Sequence, residues 1–165
     1  MTVPALVSAL RKDFECLGYP HSLTAPAKIS RCVVSPSMRA VALMRASQGA
    51  SARVFPLVRL LLIRQHAIDI GRDVEIGEAF YLPHPVGIVI ASGVRIGRAV
   101  TIYHHVTLGQ KDGGVPTVGP AVTIYPGSVV VGTISIGEGA IIGANSFVSR
   151  DVPPGGVVRG SVGGR

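Results

Sequence analysis

Five histidines, His21, His66, His84, His104 and His105, stand in a chain of which only 15% is charged. Imidazole gains and loses a proton near neutral pH, so these positions come first in a search for general acid–base chemistry. Two of them share an offset: His84 lies two residues after Leu82, and His104 two residues after Ile102. A histidine set near an irregularity, in a chain poor in ionisable groups, is a candidate general base. The plain alternative is a surface histidine that fills a corner. The two cysteines, Cys16 and Cys32, lack metal-ligand spacing and read as free thiols of a cytoplasmic protein.

The offset has a cause further along the chain. Counting in sixes from Val118 meets Ile124, Val130, Ile136, Ile142 and Val148. Counting back from Leu108 meets Ile102, Ile96 and Ile90, and a third run is Ile70, Ile76 and Leu82. Six is a multiple of the strand period and not of the helical one, so each hexad is a short strand plus a turn. The residue four places on is small or apolar, as at Val94, Val122, Ser128, Ala140, Ser146 and Val152. Large and small inward positions suit a narrow prism, and such a period marks a hexapeptide-repeat solenoid. From Asp69 to Val152 there is room for four to five coils. His84 and His104 then occupy one corner on adjacent coils, about one strand spacing apart.

Two breaks interrupt the count. Leu82 to Ile90 takes eight steps and Leu108 to Val118 takes ten. Extra residues in a solenoid leave it as loops, often on the binding side. The breaks hold Pro83–Gly87 and Gln110–Thr117, and the site is expected beside them.

Residues 1–66 carry nine Lys/Arg against Asp13 and Glu15, whereas 67–165 carry seven of each sign. The chain therefore divides into a basic N-terminal extension, 1–66, and a neutral solenoid domain, 67–165. Residues 4–17 and roughly 36–65 read as helices, with Ser35 as cap and Pro36 in a first turn. Val54, Val58, Leu61 and Leu62 form an apolar stripe that is expected to pack on the first coil or on a neighbouring subunit. The basic region could touch a membrane surface or an anionic partner, or be a solvated face. No nucleic-acid motif is present. No secretion signal is read at the N-terminus, and no apolar run is long enough to span a bilayer.

Three segments in order, Ile68-Asp69-Ile70, Leu82-Pro83-His84-Pro85-Val86-Gly87-Ile88-Val89-Ile90 and Val106-Thr107-Leu108-Gly109, resemble the serine acetyltransferase branch of the hexapeptide acyltransferases. The resemblance covers roughly residues 68–154. It implies a mainly β fold, a left-handed parallel β-helix with a short helical N-terminal region. It also implies a homotrimer, or a dimer of trimers, with coenzyme A lying between two prisms. By the same resemblance His84 is the catalytic base and Asp69 the carboxylate that orients it. Gly109, with neighbouring Gln110, lies where the backbone meets coenzyme A, and Ala144 is another such contact. Acetyl-CoA is then the cosubstrate, and no metal is required. The chemistry is coherent: a base takes the hydroxyl proton, a backbone N–H receives the developing oxyanion, and the carboxylate steadies the imidazolium.

The chain departs from that branch where an amino acid would be gripped. Pro83 replaces an acid before the histidine, and Gly113-Gly114-Val115-Pro116-Thr117 replaces an Arg-His-Pro run. The first expectation is therefore an acetyl-CoA-dependent O-acetyltransferase acting on a sugar or small-metabolite hydroxyl, with His104, His105 and Lys111 facing the acceptor. Serine O-acetylation is the alternative, with Lys111 replacing a missing contact. Two other classes share the prism. One is a zinc enzyme of the γ-carbonic-anhydrase kind, with His84, His104 and His105 as ligands. The other is a non-catalytic scaffold.

Overall fold

The computed structural model describes residues 3–16 and 34–160. His21, Cys32 and the last residues, 161–165, lie outside the described residues. Among the described residues three helices precede the strands: α1 Val3–Cys16, α2 Pro36–Gln48 and α3 Phe55–His66. Ser35 caps α2, its side chain accepting from the Met38 N–H at 3.4 Å, and Pro36 opens the first turn. The single helix expected over 36–65 is two. Gly49 ends α2, and Pro56, which lacks an N–H, sits where α3 begins. No helix among the described residues is long and apolar enough to cross a membrane.

Among the described residues thirteen strands of two or three residues follow: β1 Asp69–Ile70, β2 Glu75–Ile76, β3 Val89–Ile90, β4 Arg95–Ile96, β5 Thr101–Ile102, β6 Thr107–Gly109, β7 Thr117–Val118, β8 Thr123–Ile124, β9 Val129–Val131, β10 Ser135–Ile136, β11 Ile141–Ile142, β12 Phe147–Val148 and β13 Val157–Val158. They make three parallel sheets, ordered β1-β3-β6-β9-β12, β2-β4-β7-β10 and β5-β8-β11-β13. This is a parallel β-solenoid built on the hexapeptide period. The first residue of a two-residue strand faces out and the second is an aliphatic facing in, so every coil adds to one apolar column. Each buried Val, Leu or Ile contributes about 1.5–3 kcal/mol of transfer free energy.

Register follows the breaks. Val89 pairs with Thr107, one 18-residue coil on, whereas Asp69 pairs with Val89 over 20 residues and Thr107 with Val129 over 22. The structure adds a third break. Ile141 pairs with Val157 over 16 residues, and Val152 bridges Ile136. Two residues are missing between Val148 and Val152. Val152 therefore takes the large aliphatic position above Ile136, and not the small position assigned to it by counting.

The helices close the first coil. Arg45 and Asp13 are 1% and 0% exposed and form a bidentate pair, both contacts at 2.9 Å. The Arg45 guanidinium also donates to the carbonyls of Ile76 and Gly77 at 2.5 and 2.6 Å, and Asp13 accepts from the Phe80 N–H at 2.8 Å. A buried pair of this kind survives because its remaining donors and acceptors are met by backbone. Of the expected apolar stripe on α3, Val58 and Leu62 are buried in the core, while Val54 and Leu61 remain exposed beside Leu57, Leu60 and Ile63. The apolar surface of α3 runs around the helix, so one first coil covers only half of the stripe.

Candidate functional site

One edge of the prism carries four of the eight site residues singled out above: His84, His104, His105 and Ala144. It lies between the sheet of β5, β8 and β11 and the sheet of β1, β3, β6, β9 and β12. A backbone ladder runs along it: Gly87 N–H to the His66 carbonyl, His105 to Val86, Gly127 to His104 and Asn145 to Pro126, at 2.8–3.2 Å. At each step the turn needs a residue with positive φ, namely Ala67, Gly87, His105, Gly127 and Asn145. His84, His104, His105 and Ala144 are therefore members of one column, fixed by the coil repeat.

His84 is exposed, and its turn is tight: the Val86 N–H returns to the His84 carbonyl at 2.9 Å, with Pro85 buried beneath. His104 lies one coil on, its ring centroid 5.8 Å from that of His84 at 74°. His105 lies 5.4 Å from His104, again edge to face. Its ring covers Gly87, where an added Cβ would come within 2.3 Å of His105 Nδ1. Gly87 thus serves twice, supplying a left-handed turn and leaving room for the imidazole above it. Tyr103 stands 6.4 Å from His84 and stacks on Tyr125 at 5.1 Å. His104 Nδ1 is buried without a hydrogen-bond partner, an arrangement that calls for a ligand or water. Among the described residues no group of three or more His, Cys, Asp or Glu is arranged to hold a metal ion.

Asp69 sits in β1, one coil below Val89. Both of its oxygens are taken by Arg59 of α3, at 2.6 and 2.9 Å, and the pair is nearly half exposed. The hydrogen bond from Arg59, aided by its charge, holds the Asp69 carboxyl below the usual carboxylate range. A carboxylate offers about four acceptor positions, so Arg59 leaves capacity for an imidazole N–H.

Gly109, Gln110 and Lys111 lie across the sheet, at the other edge. Gly109 ends β6, where a Cβ would stand 3.0 Å from Val131 Cγ1, so glycine keeps this backbone bare. The second excursion begins as a hairpin: Lys111 and Gly114 exchange N–H···O bonds of 2.9 and 3.0 Å around Asp112 and Gly113, both at positive φ. Asp-Gly with both residues left-handed is a type I′ turn. Lys111 is exposed and has no acidic partner among the described residues. Ala144 is exposed on the histidine edge, and its carbonyl lies against Gly160, where a Cβ would be 1.8 Å away. A single chain therefore joins the three histidines and Ala144 on one edge but leaves Gly109–Lys111 on the other. A bare backbone at Gly109 and an open corner at Ala144 fit the elongated thiol cofactor that the resemblance implies.

Counting residues did not single out Ser37 or Arg39, and His66 was noted only as one of five histidines. Ser37 Oγ donates to the Leu82 carbonyl at 2.6 Å, and Arg39 Nε reaches His66 Nε2 at 3.5 Å. No local signal ties these helix residues to a turn more than fifteen residues further on.

Residues 116–150 match the bacterial transferase hexapeptide family (six repeats). The chain is 45% identical over 97 residues to the serine acetyltransferase of Mycobacterium tuberculosis, covering 56% of this chain and 42% of that protein. It is 35% identical over 164 residues to "Probable serine acetyltransferase 1" of Oryza sativa subsp. japonica, covering 92% of this chain and 50% of the relative. It therefore spans about half the length of the curated relatives it matches. Among solved structures, soybean serine acetyltransferase complexed with serine superposes with a TM-score of 0.80 at 30% identity, covering 96% of this chain and 68% of that one. With its register, its edge of histidines and these relatives together, the chain belongs to the hexapeptide-repeat transferase family, on the serine acetyltransferase-like branch.

Proposed function

We propose that this chain is an acetyl-CoA-dependent O-acetyltransferase that acetylates the hydroxyl of serine. The observation that carries the reading is His84: an exposed imidazole on a braced turn, at the position that matches the branch's base, in a chain whose relatives are serine acetyltransferases. The sugar hydroxyl expected from the sequence gives way as first choice, because the comparisons favour serine.

Acetyl-CoA supplies an acyl group already activated as a thioester, so no protein nucleophile is needed. His84 takes the proton of the acceptor hydroxyl as its oxygen attacks, then returns a proton to the departing sulfur. Asp69, steadied by Arg59, favours the imidazolium that forms between those two transfers. A backbone N–H near Gly109 or Ala144 stabilises the oxyanion. The unpaired His104 Nδ1 and the Lys111 ammonium, which has no acidic partner among the described residues, are available to meet the acceptor. His105, above Gly87, lines the same corner.

Gly109 and Lys111 reach the histidine edge only if a second chain lies alongside, which supports a homotrimer with the site between subunits. Exposed Val89, Phe147, Ile141 and Val157 on the two sheets that meet at this edge suit such packing. A cytoplasmic setting, where acetyl-CoA is made, fits the reading.

A sugar hydroxyl remains the second reading, favoured by Pro83 and by the uncharged stretch Gly113–Thr117, which lacks the charges an amino acid would need. Release of free thiol from acetyl-CoA, measured with L-serine, L-homoserine and a panel of sugars, separates the two. Turnover fastest with L-serine supports the first, and turnover confined to sugars overturns it. His84→Ala is expected to lower kcat by about 10²- to 10⁴-fold with acetyl-CoA binding retained.

A further inference from the structure

The solenoid alone does not hold the His84 turn. Ser37, in the first turn of α2, donates from Oγ to the Leu82 carbonyl at 2.6 Å and approaches the Pro83 carbonyl at 3.4 Å. His66, the last residue of α3, grips the other side. Its main-chain carbonyl accepts from the Gly87 N–H at 3.2 Å. Its ring interacts with the backbone of Pro85 in the sense that favours a proton on the ring. A proline has only a carbonyl to offer, so the ring meets that carbonyl as the donor side of the contact.

The opposite ring nitrogen, Nε2, faces Arg39 Nε at 3.5 Å. A nitrogen that accepts from a guanidinium carries no proton, so the proton of the neutral His66 ring resides on Nδ1. Burial first, and then the Arg39 charge, oppose a second proton and hold the His66 pKa below its ordinary value. His66 is 5% exposed, whereas His84 is open to solvent. The two imidazoles thus have opposite characters on either side of one turn: a buried neutral ring braces it, and an exposed ring is presented by it.

We propose that His66 is a positioning residue for acyl transfer, its ring and carbonyl acting with the Ser37 hydroxyl to set the height and direction of the His84 imidazole. This rests on the reading of His84 as the base. A displacement of a base by about 1 Å can cost on the order of 10²-fold in rate, with substrate binding little changed.

The test compares His66→Leu, His66→Asn and Ser37→Ala with His84→Ala in the intact protein, using acetyl-CoA and L-serine. Asparagine can still donate to the Pro85 carbonyl, whereas leucine cannot. His66→Leu is expected to lower kcat by roughly 10- to 100-fold, with KM for acetyl-CoA changed by no more than about twofold. His66→Asn recovers most of the loss, and Ser37→Ala shows a smaller drop of the same kind. Wild-type kcat in His66→Leu overturns the inference while leaving His84 as base, provided His84→Ala is inactive. Equal losses in the leucine and asparagine variants also overturn it, because the ring is then only a space filler. If His66→Leu does not fold, Ser37→Ala decides, and an unchanged kcat there counts against the proposal. Full turnover in His84→Ala removes the base itself and the positioning role with it.

Discussion

The solenoid and the helical layer are stabilised in different ways. From Ile70 to Val158 the same contact recurs, one aliphatic over another, and a loss at one coil is shared by its neighbours. The helices join that aliphatic core through Val41, Met44, Val58 and Leu62, and add a few polar contacts that occur once each: Arg45 with Asp13, Ser37 with the Leu82 carbonyl, Arg59 with Asp69, and His66 with Pro85. A repeat produces equivalent corners, and equivalent corners have no reason to differ in chemistry. All four of these contacts fall on the first coil or on the His84 turn that closes it. The helical layer is what makes that corner unlike the others.

The largest expected effect breaks the repeat itself. Val130 is wholly buried in the column, so Val130→Asp places an unpaired charge in the prism and prevents folding. Circular dichroism of the purified variant should show the loss. Arg45→Ala attacks the other side of the comparison. It strands a buried Asp13 carboxylate and the carbonyls of Ile76 and Gly77, at an expected cost of about 3–5 kcal/mol. Urea unfolding should show the helical layer lost at lower denaturant than the strands. A single transition with an unshifted midpoint would falsify the division between the two regions.

Asp69→Asn has a smaller effect on stability, about 0.2–1 kcal/mol, because its ion pair with Arg59 is half exposed. It should nonetheless slow turnover while the fold persists. An unfolded variant would give Asp69 a structural role in place of a chemical one.

The smallest effect is the response to acid. The folded state resists protonation of His66, whose pKa is lowered, while the unfolded chain accepts the proton at about pH 6.5. Stability is therefore full above about pH 6.5 and declines as pH falls toward the folded value. Asp69, with its pKa also lowered, keeps its contribution above about pH 4 and gives it up at lower pH. The urea midpoint should move to lower denaturant between about pH 8 and about pH 5.5, and His66→Asn should remove that step. A midpoint that rises on acidification would contradict the sign.

How much could be read beforehand differs between the same two regions. The column from Ile70 to Val148 was legible because inward positions recur at fixed intervals and each needs an apolar residue. His84 above His104 followed from counting, since a coil repeat converts sequence offset directly into height. The third break was missed because Val152 is apolar and fits either inward position; only its pairing with Ile136 distinguishes them. Asp69 was legible by resemblance, but its Arg59 partner was not. Helix-to-coil contacts depend on how a rigid helix docks, and no period encodes that.

By itself the sequence determined the prism, its two outward excursions, and the stacking of imidazoles on one edge. Those features are periodic, and a period is a local property that survives without knowledge of distant partners. Only the tertiary structure decided that Ser37 and His66 hold the His84 turn, that Arg59 takes both oxygens of Asp69, and that Gly109–Lys111 stand across a sheet from the histidines. These depend on side chains meeting through space at a single docking geometry, where hydrogen-bond distance decides the contact and spacing along the chain does not.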